Sequence, residues 1–212
     1  GENLNSGATG NVILGNQAGM EGGANTDNNV FIGDSAGEDI TSTSRYNVFL
    51  GLNAGKQGTV KSDNIGIGYN ALAGRSASDS ADGNVAIGYN AANQSLNASY
   101  TISLGYNAVA GNASSGFAGR GNIGIGRDTI SNLGSSGAYN TAIGYYAGQG
   151  IQSGDANIVI GSGSLGFAAM SNQLRIGHST LHVISGSLTT GDVIFASTAS
   201  ADYFVGDGSQ LT

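Results

Sequence analysis

The residues able to do chemistry are few and scattered. His178 and His182 stand four apart, a spacing that puts both on one side of an extended strand, where copies around a symmetry axis could gather to hold a metal ion. No His-x-His pair and no nearby carboxylate supports them, so both are expected to be ordinary polar surface or interface residues. The acidic residues Glu21, Asp27, Asp34, Glu38, Asp39, Asp63, Asp79, Asp82, Asp128 and Asp155 are dispersed through variable segments. Glycoside hydrolysis needs two carboxyls facing one bond, and the one adjacent pair, Glu38-Asp39, reads as a solvated corner. Asp79-Ser80-Ala81-Asp82-Gly83 offers the oxygen ligands calcium takes, but the Gly-Gly-x-Gly-x-Asp repeat of calcium-binding β-rolls does not occur. The glycine-rich loops lack the lysine of a phosphate-binding loop. No catalytic residue, metal ligand or cofactor is therefore assigned, the chain is not expected to be an enzyme, and receptor-binding residues stay open.

The elements that would position any such group come from a repeat. A version of Asn-x-x-Ile-Gly-x-x-Ala recurs along the chain, closing on Gly15, Gly33, Gly51, Gly68, Gly88, Gly105, Gly126, Gly144, Gly161 and, less faithfully, Gly177. Self-similarity at about this period, with a constant strand and a variable loop, is the mark of stacked coils. The opening asparagine is expected at a bend, bonding local backbone, and the closing glycine at a corner that needs positive φ. Tyr69, Tyr89, Tyr106 and Tyr145 each follow a corner glycine; they are expected to stack as a ladder between coils, with an exposed sugar-binding platform as the alternative.

Strand alternation divides each copy into two faces. One carries large aliphatics: Val12, Leu14, Val30, Ile32, Val48, Leu50, Ile65, Ile67, Val85, Ile87, Ile102, Leu104, Ile123, Ile125, Ile143, Ile158 and Ile160. These are expected to form the coil core. The residue between them reads Ile13, Phe31, Phe49, Gly66, Ala86, Ser103, Gly124, Ala142 and Val159, none of them charged. Strands apolar on both faces are buried on both, so this second set is expected to meet other copies of the chain.

Composition sets the outer limits. Glycine is 38 of 212 residues, far above the usual ~7%, yet there is no Gly-X-Y register and no proline. Charged residues are 10%, against ~25% in an average domain, which argues against a disordered polyelectrolyte. Seven basic and 14 acidic residues, with no basic cluster, exclude a phosphate-neutralising patch, so nucleic acid is not an expected partner. No run of ~18 apolar residues suggests membrane insertion. Zero cysteine leaves stability to packing. Gly1 is not an initiator methionine, and Asp207 to Thr212 stops in mid-segment; the chain is expected to be a piece of something longer. Residues 1–10 then form a lead-in, 11–177 the repeat domain, and 178–212 a β transition segment toward a further fibre or chaperone domain. Copies of unequal length place the longest loops at Arg75 to Gly83 and Asn112 to Gly121, candidates for exposed contact surface. Asn93, Asn97 and Asn112 open Asn-x-Ser sequons that matter only in a eukaryotic secretory pathway.

Asn84-Val85-Ala86-Ile87-Gly88 and Asn140-Thr141-Ala142-Ile143-Gly144 resemble the repeat of the left-handed parallel β-roll in trimeric autotransporter adhesin heads, a fold also used in bacteriophage tail fibres. Phe204 to Thr212 and Asn172 to Gly177 are similar to segments of phage and prophage tail-fibre proteins. The resemblance implies an all-β, left-handed β-solenoid of about ten coils, intertwined as a homotrimer. It implies a rigid shaft or head for host attachment on the virion, with other tail proteins and a host surface glycan or protein as partners. An adhesin head on a bacterial surface is the alternative, followed by a polysaccharide-degrading tailspike and an assembly connector.

Overall fold

The structure, a computed structural model, describes residues 8–20, 26–40, 43–56, 62–74, 81–94, 98–111, 119–131, 137–163, 169–179 and 181–196. The loops 75–80 and 112–118, together with Glu21, Asp79, Asn97 and the segment 204–212, lie outside the described residues.

Among the described residues every regular element is a strand: β1 (Val12–Leu14), β2 (Val30–Ile32), β3 (Val48–Leu50), β4 (Ile65–Ile67), β5 (Val85–Ile87), β6 (Ile102–Leu104), β7 (Ile123–Ile125), β8 (Thr141–Ile143), β9 (Ile158–Ser162), β10 (Gln173–His178), β11 (Leu181–Ser187) and β12 (Val193–Phe195). They form one sheet in chain order. From β1 to β10 each strand pairs in parallel with the next, and β11 and β12 then add antiparallel. A parallel sheet whose neighbours are consecutive in sequence is a β-solenoid, each turn resting on the one before. Register sets like on like: Phe31 opposes Phe49, and Ile87 opposes Leu104.

The two faces of the strands are exchanged relative to the sequence expectation. The middle residues Phe31, Phe49, Gly66, Ala86, Ser103, Gly124, Ala142 and Val159 are buried inside the coil, and Ile13 packs partly buried against them. The flanking aliphatics face outward: Val12 is 54% and Leu14 67% exposed, and Ile32, Ile65, Ile87, Ile102, Ile125 and Ile143 are each more than a third exposed. Val30, Val48, Leu50, Ile67, Val85, Leu104, Ile123, Ile158 and Ile160 on the same face are half-buried. The physical reason is the turn that follows each strand. The alanine column Ala18, Ala36, Ala54, Ala71, Ala91, Ala108 and Ala147 is turned inward and buried, which closes the coil over the face carrying the middle residue.

The opening asparagines point inward and do bond backbone groups, but the bend is not at the asparagine itself. Asn47 directs both its backbone N–H and its Nδ2 at Asn29 Oδ1, each at 2.9 Å, and Asn84 does the same to Asn64 Oδ1 at 2.9 and 3.0 Å. The second Nδ2 hydrogen goes to a carbonyl of the following loop, as from Asn64 to Ala81 O and from Asn140 to Gly154 O, both at 2.8 Å. A buried carboxamide column is tolerated because its donors and acceptors are matched turn by turn. The left-handed bend falls one residue earlier, at Asn28, Tyr46, Tyr100 and Tyr139, with φ between 57° and 59°.

The corner glycines do need positive φ; from Gly15 to Gly161 they lie between 125° and 142°. A Cβ on Gly33 would stand 2.5 Å from Gly51 O, and one on Gly68 2.6 Å from Gly88 O. Stacking of corner on corner thus excludes every side chain, apart from any backbone preference.

The last parallel copy, the least faithful to the repeat, keeps the register of the others. Leu174, Arg175, Ile176 and Gly177 align with Ile158, Val159, Ile160 and Gly161. Gln173 takes the ladder position, its N–H on Asn157 Oδ1 at 2.9 Å, and Asn172 takes the left-handed bend, φ 59°. Arg175 therefore stands at the inward register position, and burial lowers its pKa from the usual value. Beyond it the chain leaves the coil as a hairpin, with a bulge between Ile176 and Gly177.

Candidate functional site

The chemically able residues of the sequence are not brought together. His178 ends β10, exposed, and the chain reverses at Ser179 (φ 51°) before β11 opens at Leu181. The two histidines therefore lie on adjacent antiparallel strands, with Gly177 opposite His182, rather than on one side of one strand. Among the described residues no three His, Cys, Asp or Glu side chains cluster to hold a metal ion.

The carboxylates bind the neighbouring turn. Asp27 accepts from Thr9 N at 2.8 Å and pairs with Arg45 at 3.6 Å. Asp82 accepts from Ser62 N at 2.9 Å and Asp155 from Ala138 N at 2.7 Å. Glu38 is buried, not a solvated corner, and its Oε2 lies 2.8 Å from Lys56 Nζ. Burial pushes its carboxyl up, but the hydrogen bonds from Lys56 and Ser35 and the lysine charge outweigh this and hold the pKa below its ordinary value.

Three surfaces remain, and each is generated by the repeat. The first is the outward aliphatic face, two columns of Val, Ile and Leu along the parallel sheet, interrupted by Thr141 in β8. The second is an aromatic column beside the glycine corner. Tyr69 stacks on Tyr89 with ring centroids 4.9 Å apart, and Tyr89 on Tyr106 at 5.0 Å. Arg127 continues the column, its guanidinium 5.2 Å from the Tyr106 ring and 5.7 Å from that of Tyr145. Ring faces that cover one another are closed to a sugar, so the ladder reading holds over the platform.

The third is a polar groove next to this column. The residue two after each corner glycine is Asn53, Asn70, Asn90, Asn107 and Asp128 in successive turns, all with φ near 50° to 57°. Asn53 Nδ2 donates to Asn70 Oδ1, and Asn107 Nδ2 to Asp128 Oδ1, both at 3.1 Å. Cavities of about 330 and 410 Å³ open over this column. Sequence reasoning passed over it, although the asparagine that follows the tyrosine in Gly68-Tyr69-Asn70, Gly88-Tyr89-Asn90 and Gly105-Tyr106-Asn107 is as regular as the tyrosine itself.

No protein-family model, curated protein or solved structure matches the chain. The class that fold and surface define is a β-solenoid repeat protein.

Proposed function

We propose that the chain is a structural and adhesive segment of a fibre, a left-handed solenoid of about ten coils in which three copies pack through their outward aliphatic faces, with no catalytic role. The single observation that carries the reading is the uncovered stripe of Val, Ile and Leu along the sheet. Monomers rarely expose a contiguous apolar patch above a few hundred Å², and eight strand side chains here are each more than a third exposed. Covering one such side chain contributes on the order of 1 kcal/mol, part of the ~1.5–3 kcal/mol for complete burial. Threefold arrangement and a place on a phage tail fibre rest on the resemblance of Asn84 to Gly88 and Asn140 to Gly144. The exit from the solenoid as antiparallel β10 to β12 favours a fibre over an adhesin head, which would lead into a coiled-coil stalk.

Light scattering tests the assembly. The unaltered chain is expected at three times its 21.0 kDa, and Ile87→Asp with Ile125→Asp at one third of that mass with its β circular dichroism intact. Ala142→Asp, placed inside the coil, is expected to lose the β signal itself. A monomeric unaltered chain at micromolar concentration would refute the fibre reading.

A further inference from the structure

We propose that the carboxamide groove over Asn70, Asn90 and Asn107 is a binding site for a neutral, hydroxyl-rich oligosaccharide. The two cavities meet at Asn93 and Gln94, which line both, so they form one trough crossing several turns. Its wall presents one carboxamide per turn, hence one donor and acceptor set about every 4.8 Å, the spacing of neighbouring strands. A ligand that matches it must alternate donors and acceptors along its length, as the hydroxyls of a glycan do.

Two further observations narrow the class. Gln94 Oε1 is out of contact with solvent and has no hydrogen-bond partner, in contrast to the inner asparagine column, where each acceptor is met. A buried acceptor without a donor costs ~1–3 kcal/mol; Gln94 lines the trough, so turning its side chain toward a bound ligand would let a hydroxyl donate to Oε1. The charges at the two ends are already neutralised in place, Lys56 by Glu38 at 2.8 Å and Asp128 by Arg127 at 2.9 Å. An ionic ligand would have to displace those pairs, and a neutral one would not.

The groove is built within one chain, so binding does not depend on the trimer; the inference rests on the fibre reading only in placing the glycan on a host surface. Calorimetric titration of the full chain with neutral hexasaccharides of glucose, galactose and N-acetylglucosamine, and with a hexasaccharide of uronic acids, decides it. At least one neutral hexasaccharide is expected to bind with a dissociation constant between micromolar and millimolar. Gln94→Met, which removes the acceptor, and Asn90→Asp, which removes a donor while still accepting from Asn93 Nδ2, are each expected to weaken it tenfold or more. Melting temperature and solution mass are recorded on the same samples. Binding by a monomer would sink the trimer and leave the groove standing. No neutral binding at millimolar concentration, binding of the uronic acid alone, or binding untouched by both variants would each overturn the proposal.

Discussion

The layers at β2 and β3 and the layers at β6 and β7 fill the same backbone in opposite ways. Around β2 and β3 the volume sits in the strand: Phe31 and Phe49 are fully buried, their rings stacked 5.5 Å apart, and the residues after the buried alanines are Gly37 and Gly55. A Cβ on Gly37 would stand 2.9 Å from Phe31 Cδ1. Around β6 and β7 the volume sits in the turn: Val109 and Ile130 are fully buried, and the strand offers Ser103 and Gly124. A Cβ on Gly124 would overlap Val109 Cγ2 and stand 2.6 Å from Thr129 Oγ1. Volume is thus conserved layer by layer while its source changes, the close packing expected of an interior. The second solution holds two β-branched residues at left-handed φ, Val109 at 46° and Ile130 at 47°, which costs roughly 1–2 kcal/mol each. Two separate clusters of buried side chains result, one running from Ala18 to Ala92 and one from Ala98 to Val159.

The largest expected effect tests the first half. Phe49→Ala should destabilise by about 3–5 kcal/mol, because Gly55 and Gly66 beside the ring have no side chain with which to refill the space. Chemical denaturation measures it, and a loss below ~1 kcal/mol would mean that neighbouring turns collapse into the cavity, breaking the contrast between halves.

In the second half overpacking is the sensitive direction. Gly124→Ala should cost about 1–3 kcal/mol. Combining it with Val109→Gly should restore part of that loss, since the change removes the methyl that clashes and the left-handed strain together. A double-mutant cycle is expected to show coupling of roughly 0.5–3 kcal/mol; additivity would show that the two positions do not share one layer.

This reciprocity explains how far the sequence could be read. Strand positions and the positive φ of the closing glycines follow from the repeat, because a stacked corner admits only glycine at one register. The inner and outer faces do not follow from alternation when both are apolar, and Val and Ile are the more hydrophobic pair. Nor does the repeat alone place asparagine inside, since a lone carboxamide is costly to bury; only the column, with each Oδ1 accepting from the next turn, makes it an interior residue. One signal was present all along. Phe31 with Gly37 and Phe49 with Gly55, against Gly66 with Leu72 and Gly124 with Ile130, trade volume between two positions, and only residues packed in one layer need to do so. The groove escaped notice because polar residues outside a core carry no pattern of burial.

The seam between the halves gives a smaller effect, of opposite sign. Thr101 stands where the other strands from β2 to β9 open on asparagine. Its N–H reaches Asn84 Oδ1 at 2.9 Å, but its buried Oγ1 has no hydrogen-bond partner. Ser103, next inward, donates its hydroxyl to Ala108 O. Thr101→Asn should carry the ladder through to Asn122 and stabilise by about 1 kcal/mol. Hydrogen exchange is expected to slow on both sides of β6, joining two cooperative units into one; protection gained on one side alone would show that Ser103, rather than Thr101, separates them.

The smallest expected effect concerns the ties between turns. In the first half these include the ion pairs Asp27 with Arg45 and Glu38 with Lys56, whereas the second half joins Tyr106 to Tyr145 through Arg127. Glu38 has a pKa below the ordinary 4.5 when folded, so it binds fewer protons folded than unfolded. Its contribution is therefore complete above about pH 4.5 and lost as pH falls through the folded value. Glu38→Gln should lower the melting temperature slightly at neutral pH and leave it unchanged once the pH lies below the folded value, where the carboxyl is protonated in both states. Exchange near β2 and β3 should carry this pH dependence in the unaltered chain and lose it in Glu38→Gln. The same acid response in both chains would show that the Glu38 and Lys56 pair adds nothing beyond the packing of Phe31 on Phe49.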